Sequence, residues 1–244
     1  MNNGGYIMTY IVLAAGKGTN LQPLTLKTPK SLYKLDRDTT VLQRMIRSIR
    51  KHDQKAEIIV VTGFMYEHVL RELEKENVIV VRNPFYARTG SIASLWFAKK
   101  YLERDNVTIL NSDIVLEDSL IEEIICQHTD KPYVLIDSSK TTGKYNVQIQ
   151  DDKICVMSKA LSSFYAQYAC VTKLDAVSAR FLLEEIDNMV NDEMYDQLFE
   201  DALVQMIFEN DFDLYYLDIK GYSWTEVDDV DDLIKAREVQ HKKR

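Results

Sequence analysis

Short β-branched runs alternate with segments whose apolar residues recur every three or four positions, and this alternation limits the chain to a narrow set of folds. Residues 10–13, 58–62, 78–81, 107–110 and 133–136 read as strands. Between them, residues 41–52, 66–76, 92–101 and 119–126 carry the spacing of crossover helices. A strand followed by a helix and another strand, repeated, predicts a doubly wound α/β domain with mostly buried parallel strands. Beyond residue 136 the rhythm changes. Segments 145–150 and 154–158 flank Asp151-Asp152 as a hairpin would, so the sheet is expected to be mixed but mainly parallel. Helices over 176–190 and 198–209, a strand over 214–219 and a last helix from about Val230 complete the pattern.

With 244 residues, 46% of them hydrophobic and 28% charged, the chain can bury a core as one domain, 1–244. The net charge of −8 sets it against a long polyanion, so nucleic acid is not an expected partner. No apolar run is long enough to span a bilayer, and Met1 to Thr9 lacks the regions of a signal peptide. A cytoplasmic protein without membrane attachment is expected, and a homodimer is left open. Cys126, Cys155 and Cys170 lack metal-ligand spacing and read as reduced packing residues; His52, His68, His128 and His241 form no HxxxH pattern. The chemistry is therefore expected to rest on carboxylates and lysines.

Directly after the first strand comes Leu13-Ala14-Ala15-Gly16-Lys17-Gly18-Thr19, continuing through Pro23-Leu24-Thr25 to Thr28-Pro29-Lys30. Open α/β sheets bind ligands at the carboxyl ends of their strands, and paired glycines let backbone N–H groups approach phosphate oxygens. A dinucleotide fingerprint would need a third glycine where Leu21 stands, and Pro23 and Pro29 keep the segment irregular. The P-loop order of Gly-Lys-Ser/Thr is also absent. In isolation, the segment also fits a glycine-containing turn flanked by solvated lysines.

The whole stretch resembles the AAGxGxRLxPLTxxxPK signature of the nucleoside-triphosphate transferase superfamily, which includes sugar-phosphate and choline-phosphate nucleotidyltransferases. That resemblance implies a Rossmann-like three-layer αβα sandwich. It also implies that Leu13, Ala14, Ala15, Gly16, Gly18 and Thr19 bind the nucleoside triphosphate, with Lys30 and Lys17 as catalytic cations. Asn20 stands where the family has an arginine for the β- and γ-phosphates, so Lys17 is expected to substitute or triphosphate binding to be weaker. Asp113 follows the strand at 107–110, and Asp228 lies in Trp224-Thr225-Glu226-Val227-Asp228. These match the aspartate after the fourth strand and the W-x-E-[IV]-D motif, which in the family bind Mg²⁺. Either could instead be a helix cap or turn residue. Asp229, Asp231 and Asp232 read as first-turn residues of the last helix.

Asn83-Pro84-Phe85-Tyr86 and Thr89-Gly90-Ser91-Ile92-Ala93-Ser94-Leu95 resemble a segment of the choline-phosphate cytidylyltransferase-like branch, which favours cytosine. The resemblance adds Gly63, Thr89, Gly90, Ser91 and Ser94 to the nucleotide site. Ser91 also suits an ordinary N-cap, and Gly63 a strand-to-helix turn. For the acceptor, the branch points to Lys159, Tyr168, Glu200 and Trp224. Against these stand a solvated strand-end lysine and tyrosines that belong to the core. The nucleotide-binding part is expected at about 8–115 and the acceptor-binding part at about 116–230.

The reaction implied is transfer of CMP from CTP to a small amine- or amino-acid-bearing phosphate or phosphonate, such as phosphocholine or phosphoglutamine, with release of pyrophosphate. A uridylyl- or thymidylyltransferase for a sugar 1-phosphate would use the same residues. A nucleotide-binding regulator that kept the fold and lost turnover is a third reading, suggested by Asn20.

Overall fold

The computed structural model describes residues 7–18, 27–140 and 143–241. Its main sheet contains β1 (Thr9–Ala14), β2 (Glu57–Thr62), β3 (Ile79–Arg82), β4 (Asn106–Asn111), β6 (Tyr133–Asp137), β9 (Ala166–Asp175) and β10 (Tyr215–Asp218), in the order β10-β6-β9-β4-β1-β2-β3. All of these run parallel except β9, which is antiparallel to both β4 and β6. A hairpin of β7 (Asn146–Gln150) and β8 (Lys153–Ser158) pairs with the start of β9. Asp151 and Asp152 turn it with φ of 50° and 59°, the paired left-handed conformation that short hairpins favour and aspartate tolerates. β5 (Ile114–Leu116) and β11 (Trp224–Glu226) form a separate antiparallel pair.

Helices lie on both sides of the sheet, giving the expected α/β sandwich with its mixed, mainly parallel sheet. α1 (Val41–His52) starts at Thr40, whose hydroxyl accepts from Gln43 N–H at 3.2 Å while the Gln43 amide oxygen accepts from Thr40 N–H at 3.1 Å. α2 is Tyr66–Glu72, shorter than expected, and α3 (Ser91–Phe97) gives way to a 3₁₀ turn at Lys99–Tyr101. α5 (Ala176–Asn191) and α6 (Phe199–Asn210) pack against each other and against α3. α7 (Val230–His241) packs on β5 and β11 through Val115, Val227, Ala236 and Val239.

Two departures from the sequence pattern matter for function. The helix expected over 119–126 is a single turn, α4 (Asp118–Leu120), which widens into a π segment at Ile121–Ile125. β9 was not among the expected strands, because Gln167, Thr172 and Lys173 interrupt its hydrophobicity although all three are buried. Its insertion between β4 and β6 joins the two halves of the chain in one continuous sheet.

Candidate active site

The loop after β1 leaves the sheet at its carboxyl edge. Ser112 N–H donates to Leu13 O at 3.1 Å and Phe64 N–H to Ala15 O at 3.0 Å, so the loops after β4 and β2 gather around it. Gly18 takes φ of 60°, which suits glycine, and a side chain at Gly16 would meet only open space. Leu13, Ala14, Ala15, Gly16, Lys17 and Gly18 line a cleft of about 400 Å³ that also takes in Lys30, Thr89, Gly90, Ser91, Ser94 and Asp113. Thr19 and Asn20 lie outside the described residues.

The opposite wall is fixed by Asn83, which is fully buried. Its side-chain amide donates to Thr89 Oγ1 at 3.1 Å and to Ser94 Oγ at 3.0 Å, while its oxygen accepts from Phe85 N–H at 2.9 Å. Gly90, not Ser91, occupies the N-cap position of α3. The Ser91 hydroxyl instead accepts from Phe199 N–H at 2.9 Å, tying α3 to the start of α6. A side chain at Gly90 would run into the backbone of Asp196 and Gln197. Gly63 does not line the cleft; its missing Cβ makes room for Tyr86, which does, and Lys17 Nζ sits 5.9 Å from the Tyr86 ring centre.

The acidic centre is assembled by the β5–β11 pair. Its register sets Glu226 against Ile114, and Val227 N–H continues the ladder to Asp113 O at 2.8 Å. As a result Asp113, Glu226 and Asp228 each bring a carboxylate oxygen within 4.8 Å of the others. At that separation each ionised pair repels by roughly 3–4 kcal/mol at an effective dielectric of 20, so the arrangement calls for cations. Lys30, from a 3₁₀ turn at Lys30–Leu32, places its ammonium against Asp113 Oδ2 and 2.8 Å from Asp228 Oδ1. Lys144 Nζ lies 2.8 Å from Asp228 Oδ2 and 3.0 Å from Asp232 Oδ2. Burial works against the Lys30 charge, but Asp113 and Asp228 outweigh it and hold the ammonium protonated. Burial, reinforced by Asp113 and Asp228, raises the Glu226 pKa. Asp228 goes the other way: burial would raise it, yet Lys30 and Lys144 together lower it.

Asp113 is 4% exposed and its Oδ1 is buried without a hydrogen-bond partner among the described residues. An orphaned carboxylate oxygen beside two more acids is a donor set of hard oxygens, which fits Mg²⁺.

A second cleft of about 450 Å³ shares Lys30, Ser91, Asn111, Leu198 and Glu226 with the first and continues to Lys144, Tyr145, Lys159, Tyr168, Glu200 and Asp228. Three of the four expected acceptor residues are there. Glu200, in the first turn of α6, is 4% exposed; burial, helped by Asp201 and Glu226 and opposed by Lys159, pushes its pKa up to about 8. The Tyr168 hydroxyl is already bonded to Thr172 Oγ1 at 2.8 Å, and its ring meets Tyr145 edge-on at 5.8 Å. Trp224 departs from expectation. Its indole N–H donates to Asp137 Oδ2 at 2.8 Å, it is 5% exposed, and it lines neither cleft. It anchors β11 to the end of β6. Cys170 reaches the second cleft from a left-handed conformation, φ 58°, where the β6–β9 register shifts.

Sequence reasoning gave no role to Lys144, Tyr145, Tyr86 or Asn111. Glu226 was visible within its motif, and Asn83 within its own; nothing in the sequence marked Lys144. A larger cavity, about 900 Å³, opens at the amino ends of β1 and β2. Two of its cations are engaged, Arg104 with Glu57 at 3.1 Å and Arg50 with the carbonyls of Gln54, Ala56 and Asn77.

A fold with a strand-end glycine loop facing an acidic centre defines a nucleotidyltransferase class, and the family model for the MobA-like NTP transferase domain matches residues 10–187. The chain belongs to that family. It is 27% identical to a choline-phosphate cytidylyltransferase of Streptococcus pneumoniae over 95% of this chain and 98% of that protein. It is also 27% identical to a 2-aminoethylphosphonate cytidylyltransferase of Lancefieldella rimae, over 91% and 89% of the two chains. The solved CTP:phosphocholine cytidylyltransferase LicC of S. pneumoniae superposes with a TM-score of 0.77 at 23% identity, covering 96% of this chain and 99% of that one, which establishes the fold. No helix among the described residues is long and apolar enough to cross a membrane.

Proposed function

We propose that the protein is a Mg²⁺-dependent cytidylyltransferase that transfers CMP from CTP to a phosphate or phosphonate oxygen of a small metabolite bearing an amine or amino acid. The observation that carries this reading is the junction of the two clefts at Lys30 and Glu226, beside Asp113 and Asp228. The glycine loop and the Thr89–Ser94 wall would hold the nucleotide, and Lys159, Tyr168 and Glu200 the acceptor. The names of the S. pneumoniae and L. rimae relatives support cytosine and a small phosphorylated acceptor.

An acceptor oxygen would attack the α-phosphorus of CTP, and the bond from that phosphorus to the bridging oxygen would break, releasing pyrophosphate. The acceptor is already anionic at neutral pH, so no protein base is required; alignment and charge neutralisation are the main needs. Lys30 would stabilise the charge developing across the transferred group, and Lys17 would bind the departing phosphates. Mg²⁺, held by Asp113 and Asp228, would neutralise phosphate charge as a Lewis acid. Glu200, buried and biased toward its neutral form, would regain its negative charge when a cationic acceptor group arrives beside it.

The test is pyrophosphate release with CTP, UTP and dTTP against a panel of phosphorylated amines, amino acids and sugars. Turnover with CTP and an amine-bearing phosphate is expected. Preference for UTP or dTTP with a sugar 1-phosphate would replace this reading. Nucleotide-induced melting shifts without turnover of any pair would indicate a regulator. Asn20→Arg is expected to tighten CTP binding about tenfold by adding a charge-assisted phosphate contact.

A further inference from the structure

Asp228 is gripped from two sides. Lys30 meets its Oδ1 and Lys144 its Oδ2, each at 2.8 Å. The two lysines differ in outlook: Lys30 borders both clefts, whereas Lys144 borders only the acceptor cleft. Lys144 comes from the connection between β6 and β7, and its side chain is 47% exposed. An ion pair so open to water holds weakly, and a lysine on its four-carbon stem can change partners without moving the backbone.

We propose that Lys144 is the acceptor-side phosphate-binding residue and that it is freed for this task when a divalent cation takes Asp228. The inference rests on the metal role proposed for Asp113 and Asp228. An ammonium on Asp228 Oδ2 competes with a metal for the same carboxylate. Once displaced, it stands in the acceptor cleft near Lys159 and Tyr145, where a phosphate dianion can replace the lost partner. Metal and acceptor then favour each other, since each removes a cost the other would otherwise meet. Asp232, which accepts from Lys144 at 3.0 Å and from Asp228 N–H at 3.3 Å, would keep the lysine close during the exchange.

A lysine that merely orients Asp228 would behave in the opposite way. Removing a strut weakens metal binding; removing a competitor strengthens it. Lys144→Gln is therefore titrated with Mn²⁺ alone, and then with inorganic phosphate in the presence of Mn²⁺ and α,β-methylene-CTP, which fills the nucleotide cleft. The variant should bind Mn²⁺ several-fold more tightly than the native protein, and inorganic phosphate about tenfold more weakly, the loss typical of one charge-assisted hydrogen bond. Lys144→Arg, which keeps the charge, should return both affinities toward native values. Unchanged or weaker Mn²⁺ binding by Lys144→Gln, or unchanged phosphate binding, overturns the inference while leaving the cytidylyltransferase reading intact. A native protein that binds no Mn²⁺ removes the metal role and this inference together.

Discussion

β9 carries buried polar groups toward both ends of the sheet, and the two ends treat charge differently. At the amino ends of the parallel strands, Lys173 is fully buried, and its ammonium donates to Ile124 O at 2.8 Å, Ile125 O at 2.9 Å and Gln127 O. Burial pulls its pKa down to about 7. Three carbonyls nevertheless match the three N–H bonds of an ammonium, a set that a neutral amine cannot fill. At the carboxyl edge, among the described residues, Asp113 keeps an oxygen without a partner and the Glu200 carboxyl is bonded only by its own backbone N–H. Where the fold supplies every partner, buried charge is architecture; on the reading proposed above, the carboxyls at the opposite edge would take theirs from a ligand.

Asp113→Asn tests the carboxyl edge most severely. The change keeps the shape of the side chain and removes the charge that Lys30 and a metal would share. Pyrophosphate release should fall on the order of 10³-fold, the scale of losing a principal electrostatic element in a phosphoryl-transfer site. The melting temperature should change little, because the relief of repulsion from Glu226 and Asp228 offsets the lost attraction to Lys30, which keeps Asp228. Near-native turnover would remove Asp113 from the chemistry; a large loss of stability would make it architecture after all.

Lys173→Met inverts that outcome. It leaves Ile125 O and Gln127 O without their donor at the end of the π segment, while Ile124 O keeps the Gln127 N–H at 3.3 Å, so a stability loss of about 3 kcal/mol is expected, read as a lower urea midpoint at unchanged slope. Steady-state constants of the folded fraction should stay native. A fall in kcat larger than the fall in stability would mean that the floor of the sheet is coupled to the clefts.

The two ends also differ in how far the sequence announces them. The glycine loop is local: its residues follow one strand directly in sequence, and residues 13–18 line a single cleft. Asp113 and Asp228 were recognisable by resemblance to a family, but the device that joins them was hidden. Ile114–Leu116 and Trp224–Glu226 are three-residue strands, too short to show a period. Trp224 also lies elsewhere than expected, since an aromatic beside an acidic motif gives no hint that Asp137 will take its N–H. Lys173 offered no signal at all, because a lysine in a strand reads as a solvated residue until the carbonyls of a distant π turn surround it.

Glu200 sharpens the contrast through pH. Its pKa in the fold is about 8 against an ordinary 4.5, so between those values the native state binds more protons than the unfolded one. Stability contributed by this group is therefore full below about pH 4.5 and is lost as pH rises toward 8. Glu200→Gln lacks that slope. Relative to the native protein it should gain with rising pH, by about 2 kcal/mol near pH 6 and about 4 kcal/mol at pH 8, with most of the difference absent at pH 5. Parallel pH profiles for the two proteins would show a carboxyl already compensated by the fold.

Ser91→Ala is a mild change that tests the seam between the clefts. The hydroxyl accepts from Phe199 N–H, one of the amino-terminal donors of α6 that the helix itself cannot satisfy; Leu198 N–H, beside it, is met by Asp201 Oδ2 at 2.9 Å. Removing the hydroxyl leaves Phe199 N–H without that partner and should cost about 1 kcal/mol of stability. Because Ser91 borders both clefts and its bond joins α3 to α6, loosening it should raise the KM values for triphosphate and acceptor together. A rise confined to the triphosphate, at unchanged stability, would instead assign the hydroxyl to the cytosine ring. Ser91 would then belong with Asp113 among groups whose partner is a ligand, and the boundary between architecture and site would pass through α3 itself.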